Sequence, residues 1–385
     1  MDELAPFEEA IDLIKEAGGD AFKLCWQCGL CSASCPWNMV RTFMPHKMIC
    51  QSRYGLVELE DAEWWLCSTC NLCVSRCPRG VAITDIIRAI RKIMLEFQFE
   101  KAPASLRSAV GNLRGQGNPW GNERSKRALW AENLGIQPYS SEDHDVLYFP
   151  CCVPAYDAKL GSVARATALL LQATGARFGI LGEKENCCGE SVRKAGHESL
   201  FESLMQGNLA VFKENRIREI IVTSPHCLTT FTQEYPGLKG ETKILHMTQY
   251  LADLLERGKL SLEKGLRKKI IYHDPCYLGR HNGIYEEPRK VLGSIPGVTL
   301  MDEAESRENS LCCGGGGARI WMETLKGQRF SDILVDQAVE MGADMLVTAC
   351  PYCLLNFKDS VVTSDKVGML EVKDVSEVVL EAIGE

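Results

Sequence analysis

Five cysteines after residue 270 lie in three separate segments, and their type and spacing predict a metal centre. Cys312 and Cys313 are adjacent and precede four glycines, Cys276 lies upstream, and Cys350 and Cys353 lie downstream. Glycines have no Cβ, so the backbone can approach a bulky inorganic group closely. Five thiolates exceed the four ligands of a structural zinc ion, so the pattern favours an iron–sulfur cluster. The alternative is a set of inert buried cysteines, which these spacings disfavour.

Two further cysteine runs lie near the N-terminus and have the spacing of bacterial ferredoxins. In a Cys-x2-Cys-x2-Cys-x3-Cys-Pro run, three cysteines wrap one 4Fe–4S cubane and the fourth reaches across to the other cluster. We therefore assign one cluster to Cys25, Cys28, Cys31 and Cys77, and a second cluster to Cys67, Cys70, Cys73 and Cys35. Zinc ribbons use pairs of cysteines instead of such a run, so zinc is the weaker interpretation here as well.

The composition of the chain limits the classes of function that it can have. The chain has 385 residues and 19 cysteines, and Met1–Leu4 has no basic residues and is not followed by the apolar stretch of a secretion signal. The thiols are therefore expected to be reduced and metal-bound in the cytoplasm. No apolar run is long enough to span a membrane, and a net charge of −8 argues against nucleic acid as the main partner.

The hydrophobic pattern predicts a helical domain around the two runs. Apolar residues recur at helical spacing in Pro6–Lys15, Arg41–Arg53, Val57–Trp65 and Thr84–Phe99. Residues 1–100 are therefore predicted to form a helical ferredoxin domain with two clusters. Residues 101–144 are rich in glycine and basic side chains, which indicates an irregular linker. The basic side chains could meet an acidic partner or a nucleotide, but we expect them to be solvated.

An internal repeat begins at residue 145 and predicts two α/β domains with mostly parallel sheets, over 145–265 and 266–385. In each copy a short apolar strand leads into cysteine, a Cys-Cys-Gly segment follows, and a later strand leads into a Pro-x-Cys motif. The predicted strands are Val146–Phe149, Ile220–Thr223 and Ile244–His246 in the first copy, and Ile270–His273, Met345–Val347 and Met369–Glu371 in the second. Cluster ligands are expected in loops at the strand ends, where such sheets place their ligands.

The two copies differ in their cysteines. The second copy is complete, whereas the first is degenerate because Ser224 stands where the second has Cys350. An alcohol oxygen is a poor substitute for thiolate at an iron–sulfur centre. The first copy nevertheless keeps five thiols, because Cys151 is an additional one beside Cys152, Cys187, Cys188 and Cys227. Either it binds a further iron–sulfur cluster with altered geometry, which we favour, or it binds a lesser cluster or none.

Taken together, these motifs resemble the D-type subunits of heterodisulfide reductases, in which a two-cluster ferredoxin is fused to a pair of Cys-Cys-Gly domains. The resemblance covers nearly the whole chain, including Asn118–Gly121 and His273–Cys276. It implies that the complete five-cysteine site holds a noncubane 4Fe–4S cluster. It also implies that heterodisulfide reductases use two such clusters, a pattern from which Ser224 departs.

The expected function is that of an iron–sulfur electron-transfer subunit in a multisubunit oxidoreductase complex. Electrons would pass between the ferredoxin-type clusters and the noncubane cluster, in either direction. The alternative is an enzyme that reduces a heterodisulfide of the CoM-S-S-CoB type at the noncubane cluster. The resemblance implies redox partners such as a flavoprotein, a hydrogenase or dehydrogenase, or a bifurcating reductase, with any membrane contact made through a partner.

Three cations are candidates for tuning the second site. Arg280 and His281 follow Cys276, and Arg319 follows the glycines. A positive charge near the site would stabilise a reduced cluster or a thiolate product. His226 stands where the second copy has Tyr352, and we expect it to be structural. No glycine fingerprint for a flavin or nicotinamide is found, because the glycines of the Cys-Cys-Gly segment follow cysteine.

Overall fold

The structure is a computed structural model that describes residues 6–98 and 102–383. The chain divides into two compact units. The first comprises the chain up to Ser108 together with Ser191–Phe201 and Gly314–Phe330. The second comprises Ala109–Glu190, Glu202–Cys313 and the chain from Ser331 onward.

The N-terminal part of the first unit is helical. Its helices are α1 (Glu8–Ile14), α2 (Leu30–Ala33), α3 (Pro45–Arg53), α4 (Leu72–Ser75) and α5 (Ile83–Glu96), with shorter 3-10 turns at Asp20–Leu24, Pro36–Met39 and Ala62–Leu66. The helix expected over Val57–Trp65 is wrong except for its last turn. The chain turns at residues 59–60, and the Asp61 side chain then accepts from the Glu63 amide at 2.8 Å to begin a new short helix. The expected helix end at Phe99 lies outside the described residues.

Helix α5 forms because its isoleucines recur on one face. Ile83, Ile86, Ile87, Ile90 and Ile93 are all buried, at the i, i+3, i+4 spacing of an amphipathic helix. This apolar face provides much of the core of the first unit.

Part of the segment expected to be irregular is in fact helical. Helix α6 covers Ala104–Gln116, and a 3-10 helix covers Arg124–Ala131. In α6 the apolar residues Leu106, Val110 and Leu113 recur at helical spacing and are buried. The density of glycines and arginines concealed this pattern.

Two four-stranded parallel sheets form the second unit, in the orders β2-β1-β3-β4 and β6-β5-β7-β8. The strands are β1 (Val146–Phe149), β2 (Phe178–Gly179), β3 (Glu219–Val222), β4 (Lys243–His246), β5 (Lys269–His273), β6 (Thr299–Asp302), β7 (Met345–Thr348) and β8 (Glu371–Asp374). The last strand, β8, therefore begins at Glu371, the residue at which the sequence predicted it to end. The predicted fold class, a helical ferredoxin unit followed by two repeated α/β units, is confirmed.

Helices alternate with these strands. They are α7 (Cys152–Tyr156), α8 (Gly161–Ala173), α9 (Glu190–Lys194), α10 (Glu198–Glu214), α11 (Pro225–Thr229), α12 (Met247–Glu256), α13 (Glu286–Gly293), α14 (Phe330–Glu340), α15 (Pro351–Thr363) and α16 (Val375–Ala382). Within the two described ranges, no helix combines the length and apolarity needed to cross a membrane.

The two copies of the repeat exchange reciprocal contacts. Helix α16 packs on α8, and α12 packs on α13, so the last helix of each copy covers the first long helix of the other. At the α8–α16 contact, Ser162 donates to Glu377 at 2.7 Å and the hydroxyls of Thr167 and Ser376 lie 3.1 Å apart. This pseudo-twofold arrangement brings residues of one copy next to the cysteines of the other.

Candidate metal centres

The two ferredoxin runs fold into the same local turn. Gln27 and Thr69, each two residues after the first cysteine of a run, have positive φ angles of 58° and 51°. This conformation directs the Gln27 amide to the Cys25 sulfur and the Thr69 amide to the Cys67 sulfur, each at 3.4 Å. Amides aimed at sulfur stabilise thiolates, which is the form that binds metal.

The fourth cysteine of each run lies with the other run. Cys77 lines one pocket together with Cys25, Cys28 and Cys31. The second group is Cys67, Cys70, Cys73 and Cys35. Burial, and then the neighbouring thiolates of Cys70, Cys67 and Cys35, raise the pKa of Cys73 well above its usual range. These are the two groups of four cysteines assigned from the sequence, each with three cysteines of one run and the fourth cysteine of the other.

The donor set fits iron–sulfur clusters. Each group offers four soft sulfur ligands, and burial followed by the Cys25 thiolate raises the pKa of Cys31 to about 11. Thiolates so crowded and desolvated are stable only with positive charge among them, which the iron of a cluster supplies.

In the second copy, the structure brings all five cysteines together. The sulfurs of Cys276 and Cys312 lie 4.0 Å apart, and the Cys353 thiol contacts those of Cys313 and Cys350. All five are buried. They come from the loop after β5, the Cys-Cys-Gly loop, and the turn between β7 and α15, so the parallel topology explains their convergence.

The three candidate cations occupy different environments. Arg280 donates to the carbonyl oxygens of Ser310 at 2.8 Å and Glu308 at 3.2 Å, and so holds the backbone that leads into Cys312. His281 stacks on Tyr277, with ring centroids 4.0 Å apart. Arg319 belongs to the first unit, where burial lowers its pKa to about 10 and its guanidinium lies over the Trp37 ring. A tuning role for these residues stays a prediction.

The first copy also gathers five thiols. The sulfurs of Cys227 and Cys188 lie 3.4 Å apart, Cys187 contacts both Cys188 and Cys152, and Cys151 contacts Cys227. Contacts with the Cys187 and Cys227 thiols lower the pKa of Cys188 to about 6. The soft donors therefore converge here even though one position of the pattern is serine.

Ser224 and Cys151 are two positions at which the first copy departs from the second. Ser224 begins helix α11 and accepts from the His226 amide at 3.3 Å. The strand register, which pairs Phe149 with Val222 and His273 with Thr348, places Cys151 where the second copy has Pro275. Cys151 adopts a positive φ of 72°, unusual for a residue with a Cβ. The chain is thus turned so that an additional thiol faces the group.

Arg127 is a residue of the first site that sequence reasoning missed. Its Nη1 donates to the Cys152 sulfur at 3.3 Å and its Nε donates to the Glu185 carboxylate at 2.8 Å. Both side chains of this ion pair are buried. Burial raises the pKa of Glu185 to about 6, although the Arg127 charge opposes this shift. The concentration of basic residues before β1 was the available signal, but we expected those side chains to be solvated.

Replacing Arg127 with methionine is expected to destabilise the second unit by about 3–5 kcal/mol, because Glu185 would become a buried charge without its partner. The measurement is hydrogen exchange of the β1 and β3 amides, which reports on the second unit alone. The double variant Arg127→Met/Glu185→Gln is the control and should recover most of the loss. Equal destabilisation in both variants would show that the ion pair is not the cause.

His226 contacts the second site from the first copy. Its ring stacks between Tyr277 and Tyr352, at centroid distances of 3.8 and 4.2 Å, and its Nδ1 lies 3.4 Å from Glu190. Burial would lower the pKa of His226, but the Glu190 charge and then the Cys350 thiol raise it to about 10. Burial alone would raise the pKa of Cys350, but the contacts with Cys353 and then His226 bring this pKa well below its usual range. The expectation that His226 is only structural therefore overlooked a contact with a candidate ligand.

The variant His226→Phe should keep the aromatic stack and lose the contact with Cys350. We expect iron to be retained and the midpoint potential of the second site to fall by roughly 60 mV, the equivalent of one hydrogen bond to a charged sulfur for a one-electron couple. A redox titration followed by electron paramagnetic resonance measures the shift. His226→Gln, which keeps an N–H donor but not the ring, should shift the potential less.

Comparison with known proteins gives matches over most of the chain. The cysteine-rich domain family (CCG) matches residues 146–232 and 270–358, and the 4Fe-4S dicluster domain family matches residues 21–81. The second of these supports two 4Fe–4S clusters in the N-terminal part, and the first suggests further iron–sulfur binding.

Several curated proteins are similar to this chain. The D-type subunit of the dihydromethanophenazine:CoB–CoM heterodisulfide reductase of Methanosarcina barkeri is 33% identical over 329 residues, which are 83% of this chain and 77% of that protein. The EtfAB:quinone oxidoreductase of Syntrophomonas wolfei is 34% identical over 332 residues, 83% of this chain and 46% of that protein. The probable iron-sulfur-binding oxidoreductase FadF of Bacillus subtilis is 32% identical over 84% of this chain and 47% of that protein. The chain thus spans about half the length of these two bacterial relatives.

Proposed function

Because this chain belongs to the family of the D-type heterodisulfide reductase subunits and related iron–sulfur oxidoreductases, we propose that it is the electron-transfer subunit of a multisubunit oxidoreductase. Its N-terminal clusters would exchange electrons with a cluster at the second Cys-Cys-Gly site. The observation that carries this proposal is the convergence of five buried thiols in the second copy, in a chain that also has two ferredoxin-type groups.

The proposed ligands follow the groups described above. One 4Fe–4S cubane is assigned to Cys25, Cys28, Cys31 and Cys77, the other to Cys67, Cys70, Cys73 and Cys35, and a noncubane-type cluster to Cys276, Cys312, Cys313, Cys350 and Cys353. When bound, such clusters accept and release single electrons. A further cluster is proposed for Cys151, Cys152, Cys187, Cys188 and Cys227, where the Arg127 guanidinium would offset thiolate charge.

The protein's own residues would position and insulate these clusters. The turns at Gln27 and Thr69 direct amides to sulfur, and the sheets hold the loop cysteines at their carboxyl ends. Burial of the second site excludes water and, together with hydrogen bonds to sulfur, sets the potential. Because this number of thiols needs a reducing environment, we propose the cytoplasm as the compartment.

The proposed partners are other redox subunits, such as a flavoprotein, a hydrogenase or dehydrogenase, or a bifurcating reductase. The relative from Syntrophomonas wolfei is named as an EtfAB:quinone oxidoreductase, which favours a flavoprotein as one partner of this chain. Any membrane association is proposed to run through a partner.

A second candidate function is reduction of a heterodisulfide of the CoM-S-S-CoB type at the noncubane site. The observation that favours it is that both copies, not only the complete one, gather five thiols. The name of the Methanosarcina relative includes this reaction.

Anaerobic purification with metal analysis tests the shared premise. We expect a brown protein with about twelve iron atoms per chain, or about sixteen if the first copy is loaded, and matching acid-labile sulfide. A colourless zinc protein would overturn both functions. Incubation with reduced viologen and the CoM–CoB heterodisulfide then separates them, because the electron-transfer subunit alone should release no thiol product.

A further inference from the structure

Basic residues surround the ferredoxin runs in an otherwise acidic chain. Residues 21–57 and 64–84 contain no Asp or Glu, although the chain as a whole has a net charge of −8. The same stretches contain six basic side chains, which are Lys23, Arg41, Lys47, Arg53, Arg76 and Arg79. The acidic residues are therefore excluded from the two stretches that carry the candidate ligands.

Some of these cations lie beside exposed apolar side chains at the first ligand group. The Arg79 guanidinium lies 4.4 Å from the centroid of the Trp26 ring, and 70% of Trp26 is exposed. Arg53 donates to the Cys25 carbonyl oxygen at 3.3 Å and lies over Tyr54, which is also exposed.

Leu30 extends this surface. It is exposed, and it lines the same pocket as Trp26, Arg79 and the four cysteines of the first group. We call the exposed set Trp26, Leu30, Tyr54, Arg53 and Arg79 the Trp26 face.

The Trp26 face lies at the more accessible of the two ferredoxin-type groups. Cys28 in the first group is exposed, whereas Cys67 and Cys70 in the second group are buried. Electron transfer between proteins needs close approach of the redox groups, so the exposed group is the one that an outside carrier can reach. Large exposed aromatic and aliphatic side chains bordered by arginines are typical of protein-binding surfaces.

We propose that the Trp26 face is the docking site for an acidic electron-carrier protein. Carboxylates of the carrier would pair with Arg53 and Arg79, and its apolar contact would cover Trp26 and Leu30. One electron would leave the reduced carrier and be taken up at the first ligand group, with no bond formed and no proton transferred. This inference rests on the proposed function, because it needs a cluster at that group.

The test uses the full chain with its clusters and a small acidic two-cluster ferredoxin as the probe. We expect Arg79→Glu to weaken binding of the oxidised probe at least about fivefold at low ionic strength, measured by calorimetry. Added salt should weaken binding to the wild type more than binding to the variant, because the variant has lost part of the attraction that salt screens. Arg267→Glu, an exposed arginine of the second unit, is the control for net charge.

Additional measurements separate the outcomes. The iron content, and the reduction of the clusters by the uncharged deazaflavin radical, should be unchanged in the variant. A wild-type protein without iron, or one that the radical does not reduce, would contradict the proposed function and not the docking site. Binding within twofold of Arg267→Glu would overturn the docking site. A wild-type dimer that Arg79→Glu dissociates would also overturn it, because the face would then belong to a second copy. Trp26→Ala should weaken probe binding without altering its salt dependence.

Discussion

The double variant Cys312→Ser/Cys353→Ser is expected to lose about four iron atoms and four sulfides per chain, the content of one 4Fe–4S cluster. These two residues come from different loops, and each contacts another thiol of the group. Serine oxygen is a hard donor and a poor ligand for cluster iron. Only three thiols would remain, one fewer than the four cysteine ligands of a 4Fe–4S cluster, so the second site should empty while the ferredoxin-type sites stay loaded.

Iron and acid-labile sulfide analysis, with native mass spectrometry, measures this loss. Cys50→Ser is the matched control, because Cys50 belongs to no run and lies outside the proposed ligand groups. The variant should also lose the spectroscopic signal of the second site and keep the signals of the N-terminal clusters. Unchanged iron in the double variant, with near-ultraviolet circular dichroism like that of the wild type, would remove the central premise of the proposed function.

A double substitution in the first copy distinguishes the two interpretations of that site. Cys188→Ser/Cys227→Ser removes the pair of sulfurs that lie 3.4 Å apart. If the first copy holds a cluster, the iron content should fall by a similar amount, about four atoms. No change would show that this half carries no cluster.

Local spacing explains why the cysteine groups could be predicted. A ferredoxin run wraps its cluster within a few residues, so Cys25 to Cys31 encode their own turn. The repeat predicted the parallel sheets because each copy contains the same alternation of strand and helix. The strands then determine where their C-terminal loops meet, and the convergence of Cys276 with Cys353 follows from topology.

Contacts between distant segments could not be predicted in this way. Arg127 donates to the Cys152 sulfur from a segment whose basic side chains we expected to be solvated. The sequence around Arg127 does not show that its side chain is buried in an ion pair with Glu185. His226 contacts Cys350 only because the two copies pack reciprocally, which a single copy does not reveal. The candidate ligands could be predicted from the sequence, whereas the residues around them depend on contacts between distant segments and between the two copies.

Arg91 organises the first unit through a set of contacts that is likewise invisible in the sequence. It is fully buried in α5, and its guanidinium donates to the carbonyl oxygens of Trp64 and Cys67, each at 2.8 Å, Lys194 at 3.0 Å and Gly317 at 3.1 Å. Three stretches far apart in the chain therefore meet at one side chain. Gly317 has a φ of +61°, and a Cβ there would collide with the Cys67 carbonyl oxygen.

Replacing Arg91 with methionine is expected to destabilise the first unit by about 3–5 kcal/mol. Methionine fills a similar volume but leaves four carbonyl oxygens without this donor, and hydrogen bonds to a charged group contribute roughly 1.5–3 kcal/mol each before the desolvation of the guanidinium is subtracted. Because the chain has two units, a single unfolding midpoint would mix them. Hydrogen exchange of the α5 amides reports on the first unit alone, and their protection should fall at least about a hundredfold.

The matched control is the neighbouring residue of the same helix. Lys92 is partly exposed and pairs with Glu96 at 3.7 Å, so Lys92→Met should change stability by no more than about 0.5 kcal/mol. Arg91→Met should also weaken retention of the cluster assigned to Cys67, because the carbonyl that Arg91 holds belongs to that ligand. Wild-type protection of α5 together with full iron content in Arg91→Met would show that the other contacts of these stretches suffice, and that Arg91 does not hold the first unit together.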